Sequence, residues 1–439
     1  MIEAIASPWP PYALLVILTA IARLVCENWF APAAFVGLIW SFFTGASLLV
    51  VQYPVPGRGM WMLVLMVVAI QFGALVVHHL QPQSDPDARP PNSCELDALI
   101  VQCRRVGLVC TGIALGGCVY FLFTSLEEFG LQWSWIGMLE VGARWTLLRY
   151  DDVLEPWSVR LLVMWLHPAA LLGGILVAYS SRRRDRLIGM ATLLPALAYG
   201  FLTGARAAIL LGLTCWLSGY VALLCICNRG RLHLFSRKRI SSLLLSATAI
   251  VVMFLTIDGI RDSRWYQGFV IDFRAQKLAT YLFGSPAAFA GWYAHAVDVP
   301  ATWGARTFAG EFDLLRIKNR TIGTYTATSN VTSGSDATNV FTIFRGMIED
   351  FTPYGAVLLA PVIGGLVSWI FTAHQMRVTS RLLCLSAFYG ATLVSPLSSL
   401  FGFNGAMLAW VVAWLVFHKA KRCLPVFSRP LRAQQVTDL

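Results

Sequence analysis

Charge is what this chain has least of. Only 13% of its 439 residues are Asp, Glu, Lys or Arg, and histidine occurs seven times. Soluble domains usually carry charge on about a quarter of their residues, so an ordinary soluble enzyme is excluded. The ten cysteines build no metal framework. Cys225 and Cys227 stand closer than zinc ligands usually do, and Cys26, Cys110, Cys118, Cys215 and Cys384 fall in or beside apolar runs. Cys94, Cys103 and Cys423 fall in loops. All ten read as small packing residues or free thiols. There is no acid-rich divalent-ion motif; no cofactor and no metal-ligating residue is singled out, and the sequence leaves metal dependence open. The first apolar run follows no basic segment and precedes no small-residue cleavage site, and it reads as a retained helix, not a leader.

What is abundant is apolar. Hydrophobic residues make up 57% of the chain and the mean hydropathy is +0.64, the composition of a protein whose main solvent is lipid. A spanning helix needs roughly 20 mostly apolar residues. Eleven runs qualify: Pro11 to Cys26, Ala31 to Tyr53, Met60 to Leu80, Val106 to Phe123, Val159 to Tyr179, Leu187 to Leu202, Ala207 to Cys227, Ser241 to Ile257, Tyr354 to Ala373, Leu382 to Leu400 and Phe403 to Phe417. The expected fold is an all-α polytopic membrane protein of about eleven transmembrane helices. Residues 1–257 hold the first eight, 258–353 a large outer loop subdomain of short helices, 354–418 the last three and 419–439 a basic tail.

The sparse basic residues set the orientation, because lysine and arginine collect on the cytoplasmic side of short loops. Ser181 to Arg186, Arg229 to Arg239, the pair Arg377 and Arg381, and the tail from Lys419 to Arg432 agree in phase. Counting spans between them puts Gln81 to Arg105 inside and the amino terminus outside. The net charge of +11 therefore reports topology. Arginines divided among short loops make no nucleic-acid-binding face.

Two outer segments exceed linker length. In Ser125 to Ser158, Trp133, Trp135, Trp145 and Trp157 interleave with Arg144, Arg149, Glu127, Glu128, Asp151 and Asp152. This pattern fits a helix at the headgroup level, whether as an aromatic belt or as a substrate contact. The longer segment, Asp258 to Pro353, has an aromatic, partly amphipathic first half and a Thr/Ser/Gly-rich stretch from Thr321 to Asn339. It carries nine bases against nine acids, a balance that favours specific pairing or ligand contacts. Arg206, in YGFLTGARAAILLG, falls at the outer tip of a tight helical hairpin. An arginine there must snorkel, pair or meet an anion such as phosphate. In NVFTIFRGMIEDFTPYG, Asn339 to Gly355, a helix would put Arg345 and Glu349 on one face; an ordinary pair of that spacing contributes only about 0.3–0.5 kcal/mol.

Taken in order, TGARAAILLG, then TYLFGSPAAFAGWYAH and GARTFAGEFDLL in the large loop, then NVFTIFRGMIEDFTPYG before a last group of spans, resemble the Wzy-type oligosaccharide repeat-unit polymerases of O-antigen and capsule synthesis. The likeness covers about Tyr199 to Phe371. Asp350 and Phe351 match the family's aspartate-phenylalanine-glycine run, whereas Thr352 and Pro353 replace the glycine.

The resemblance implies a bacterial inner-membrane glycosyltransferase with a periplasmic active face. Its substrate would be an undecaprenyl-pyrophosphate-linked oligosaccharide. Membrane lipids and a chain-length regulator are the further partners it allows. Arg206, Arg261, Arg264 and Arg345 would bind the pyrophosphate. Glu349, Asp350 and His295 are the candidates for general base, and Asn339 and Thr342 for other substrate contacts. His295, alone among aromatic residues, also fits an interfacial packing role. A ligase moving a finished glycan from the same carrier would use the same groups. A lipid-linked oligosaccharide flippase is the alternative of another class, although no inverted repeat or matching pair of broken helices supports it.

Overall fold

A computed structural model describes residues 7–51, 54–81, 93–150, 153, 155–180, 182–227, 254–256, 259, 278–296, 301–317, 325, 329–330, 337–373 and 375–422. Helices dominate, because a backbone in lipid must satisfy its hydrogen bonds within its own segment. In chain order they are α1 (Trp9–Cys26), α2 (Pro32–Val50), α3 (Gly57–Leu80), α4 (Ser93–Glu128), α5 (Trp135–Tyr150), α6 (Trp157–Val163), α7 (Leu166–Tyr179), α8 (Arg183–Ala191), α9 (Leu194–Thr203) and α10 (Arg206–Cys227). There follow α11 (Ser285–His295), α12 (Ala309–Leu314), α13 (Ile343–Thr372), α14 (Val378–Val394) and α15 (Asn404–Arg422). A two-residue antiparallel pair, Ser329–Asn330 with Ala337–Thr338, lies in the polar part of the large loop.

Eight helical segments are long and apolar enough to cross a membrane, counting α6–α7 and α8–α9 as one each. The 17-residue α14 is shorter, and α15, although it covers the run Phe403 to Phe417 from Asn404 onward, ends in charge. The expected span Ser241 to Ile257 lies almost wholly outside the described residues. Several expected boundaries move. The run Val106 to Phe123 is the middle of the 36-residue α4. The runs Val159 to Tyr179 and Leu187 to Leu202 each break, at Met164–Trp165 and at Thr192–Leu193, just ahead of Pro168 and Pro195. A proline inside a helix removes a donor and crowds the preceding turn.

Contacts sort the helix ends onto two faces. On one, the Ile343 N–H donates to Ser395 O at 2.9 Å, Ser285 Oγ donates to Pro396 O, and Gly59 abuts Ala290. On the other, Arg104 pairs with the buried Asp185 at 3.3 Å, Tyr179 donates to Asp97, and Thr372 donates to Gln81. The second face carries Arg104, Arg182–Arg186, Arg377 and Arg381, the alternation that the basic loops predicted.

The most intimate packing is between α3 and α13. A methyl added to Gly73 would sit 1.9 Å from Pro361 O, and one on Gly364 2.0 Å from Ile70 O, so the two backbones touch. Lipid offers apolar side chains no reward for leaving it, and close backbone approach through small residues is what holds such helices together. Gly116, by contrast, has open space where its Cβ would be. Gly73→Val should therefore destabilise the protein by about 3 kcal/mol through overpacking, while Gly116→Val changes thermal unfolding in detergent little.

Candidate functional site

The site is built where α13 enters the bundle. Ile343 to Phe351 form one helical piece; the chain breaks at Thr352, with φ 63° and ψ 164°, and resumes at Pro353. Phe344 fastens the first piece to α2 by stacking on Trp40, with centroids 4.5 Å apart. That φ and ψ belong to a region populated almost solely by glycine, and a β-branched residue holds it under strain. Threonine therefore stands at a position with glycine geometry.

Immediately before the break, three ionisable side chains turn inward: Arg345, Glu349 and Asp350 are 7%, 6% and 0% exposed. One helical turn apart, Arg345 Nε donates to Glu349 Oε1 at 2.8 Å. The guanidinium is enclosed by three rings, with its carbon 3.8 Å from the Tyr325 centroid, 4.1 Å from Phe341 and 4.9 Å from Trp292. Each ring presents its negative face, an interaction reaching about 2 kcal/mol when desolvated. This is no loose surface pair; removing one partner of a buried pair costs about 3–5 kcal/mol. From the far side Arg306 reaches Glu349, its Nε 3.2 Å from Oε2. The angle falls short of a hydrogen bond, and both atoms lack one. The contact is Coulombic and loose.

Asp350 has a different task. Its carboxylate accepts from the Arg306 N–H at 2.9 Å, the Thr307 N–H at 2.7 Å and the Thr302 hydroxyl. The backbone adds two bonds, Thr302 N–H to Glu349 O at 2.9 Å and Trp303 N–H to Asp350 O at 3.2 Å. The turn that bears Arg306 is thereby stitched to α13. Burial, and after it the nearby Glu349 carboxylate, push the Tyr325 phenol well above its ordinary value, so it remains a neutral ring under both arginines. Buried unpartnered polar atoms gather here too: Thr307 Oγ1, Thr342 Oγ1 and Arg345 Nη1. The arrangement offers a carboxylate fixed by one guanidinium, a second guanidinium beside it and spare hydroxyl donors. It can take a proton from a hydroxyl and contact an anion.

The other expected residues scatter. Thr342, 1% exposed, joins the group at the start of α13, while Asn339 is exposed in the extended segment before it. His295 ends α11 in an exposed position, where its Nδ1 donates to the Gly291 carbonyl at 2.8 Å; it does not touch Glu349. Arg206 sits at the predicted hairpin: Gly204, φ 62°, ends α9, the Ala205 N–H returns to Gly200 O, and α10 begins. Arg206 is 3% exposed, and its guanidinium lies 4.9 Å from the Tyr281 centroid, which fits neither plain snorkelling nor a solvent-facing cation. Arg261 and Arg264 lie outside the described residues. Among the described residues no group of three His, Cys, Asp or Glu could hold a metal.

Arg306 is the residue that sequence reasoning missed, and a signal for it exists. Gly304-Ala305-Arg306 repeats Gly204-Ala205-Arg206, and Gly304 too has a positive φ, 93°. Both glycines make a turn that a side chain would resist, and both turns deliver an arginine.

Relieving the strain at the break gives a direct check. Thr352→Gly should raise the unfolding midpoint in detergent, a gain of about 1 kcal/mol from strain relief exceeding the entropic cost of glycine. An unchanged or lower midpoint would mean that threonine fits this backbone.

Compared with known proteins, the chain matches no family model, no curated protein and no solved structure.

Proposed function

We propose that this chain is a bacterial inner-membrane glycosyltransferase that polymerises undecaprenyl-pyrophosphate-linked oligosaccharide repeat units at the periplasmic face. In this reading eleven spans surround an outer subdomain. The observation that carries it is the Glu349 carboxylate, held by the caged Arg345 and faced by Arg306, at the head of a spanning helix on the face away from the basic loops. A lipid-linked substrate needs its chemistry at that depth, because its tail stays in the bilayer while its glycan stays in water.

The reaction supported is a displacement at the anomeric carbon of the donor's reducing-end sugar. The bond from that carbon to the phosphate oxygen breaks, and lipid pyrophosphate leaves with the electron pair. An acceptor sugar hydroxyl forms the new carbon–oxygen bond and gives its proton to Glu349. Arg345 fixes the direction of Glu349, since a base must lie within hydrogen-bond reach of the proton it takes. Arginines on this face, Arg206 among them, offset the charge growing on the leaving group. Asp350, with three donors and no exposed surface, supports the site without touching substrate.

Complementation of a strain lacking the gene tests this. Wild type should restore a ladder of glycan lengths, and Glu349→Gln, at normal membrane abundance, should leave single repeat units, a loss of at least about 100-fold in chain growth. A full ladder from Glu349→Gln removes Glu349 from the chemistry. A wild-type gene that restores no ladder but changes which acceptor carries finished glycan replaces the polymerase with a ligase.

A further inference from the structure

The two arginines that meet at Glu349 are built differently. The Arg345 side chain is 9% exposed and walled by Trp292, Tyr325 and Phe341. It donates through Nε at good geometry, and one terminal nitrogen, Nη1, is buried. A guanidinium so enclosed cannot swing toward a ligand.

Arg306 is the opposite case. Its side chain is 39% exposed, and its contact with Glu349 runs from Nε to Oε2, at 3.2 Å and without a hydrogen bond. Its terminal nitrogens, Nη1 and Nη2, are not buried and have no protein partner among the described residues. Its backbone, however, is immobilised. The Arg306 N–H is bound to Asp350 Oδ1 and the next N–H to Oδ2, while Gly304 supplies the positive-φ turn.

A planar fork of free donors on a fixed stem is what bidentate recognition of a phosphate requires. The neighbouring Glu349 carboxylate does not forbid an anion, because Arg345 already neutralises it at 2.8 Å. Asp350 is likewise screened by its three donors.

We propose that Arg306 is the phosphate-gripping residue of this site: its two terminal nitrogens hold oxygens of a phosphate or diphosphate, and Arg345 is the positioning residue for Glu349. Identifying that phosphate as the leaving pyrophosphate of a lipid-linked glycan rests on the proposed function; the phosphate site itself does not. The assignment divides the labour. The mobile cation follows the ligand, and on leaving Glu349 it frees Oε2 to accept a proton, so anion binding and activation of the base become one event.

The test uses the full-length protein in phosphatidylcholine nanodiscs, with inorganic pyrophosphate as the probe and the thermal unfolding midpoint as the readout. Wild type should gain stability as pyrophosphate rises. Arg306→Gln should need at least tenfold more pyrophosphate for the same gain; Arg306→Lys, which keeps the charge but not the fork, should fall between. Arg316→Gln, an exposed arginine just beyond α12, should match wild type. The proposal is overturned if wild type does not respond, or if Arg306→Gln responds as wild type does. Discs containing phosphatidylglycerol distinguish the sources: suppression of the pyrophosphate response assigns the site to bulk headgroup phosphate, and an unchanged response reserves it for a diphosphate. A lost response in Arg306→Gln, in a protein whose wild type builds no glycan ladder, keeps the phosphate site and discards the polymerase.

Discussion

A carboxylate with no exposed surface must be fully bonded or it unfolds its surroundings, and Asp350 meets that demand with a turn distant in sequence. Burying an unsatisfied charge costs far more than a protein can spare, so wherever α13 forms with Asp350 inside, the Thr302 to Thr307 turn has to close on it. That closure carries Arg306 to Glu349 and sets Thr307 beside Gly346. The site is thus a consequence of satisfying one buried acid.

The break at Thr352 separates two environments that one straight helix could not serve. Beyond it, α13 presents glycines to α3 and apolar side chains to lipid; before it, the same helix presents Arg345, Glu349 and Asp350 to protein. The strained backbone changes the helix direction at the boundary. A recurrent device acts on the same face: two Gly-Ala-Arg turns, each with its glycine at positive φ, place Arg206 at the start of α10 and Arg306 beside Glu349. Aromatic rings then receive each guanidinium, Tyr281 for Arg206 and Tyr325 for Arg345 and Arg306. In a low-dielectric setting, ring faces hold a cation in place without cancelling its charge, which leaves it able to attract a ligand.

Much of this was legible in residue order. Apolar runs marked out a polytopic helical protein, and eight helical segments among the described residues are long and apolar enough to span where eleven runs were expected; the basic loops predicted which helix ends share a face. The i,i+4 spacing of Arg345 and Glu349 foretold their pairing, and the place of Arg206 between two apolar runs with basic far ends foretold the hairpin. What escaped was whatever depends on distant partners. Nothing local marks Tyr325, Phe341 and Trp292 as one enclosure, or says that Asp350 binds a turn in place of a substrate. Arg306 was lost for the same reason, although the repeated triplet held the clue. The helix break at Thr192–Leu193, ahead of Pro195, was hidden because the hydropathy of a run reports how apolar it is and not the path of its backbone.

The decisive property of a polymerase is that this chain alone joins repeat units. The most direct measurement places the purified protein in liposomes with lipid-linked single repeat units isolated from a strain lacking the gene, and follows glycan length and free undecaprenyl pyrophosphate together. A polymerase with this site should make chains of two and more units, with one lipid pyrophosphate released for each linkage made and no other protein required. Intact single units and no released carrier, from protein that is folded and correctly inserted, would contradict it.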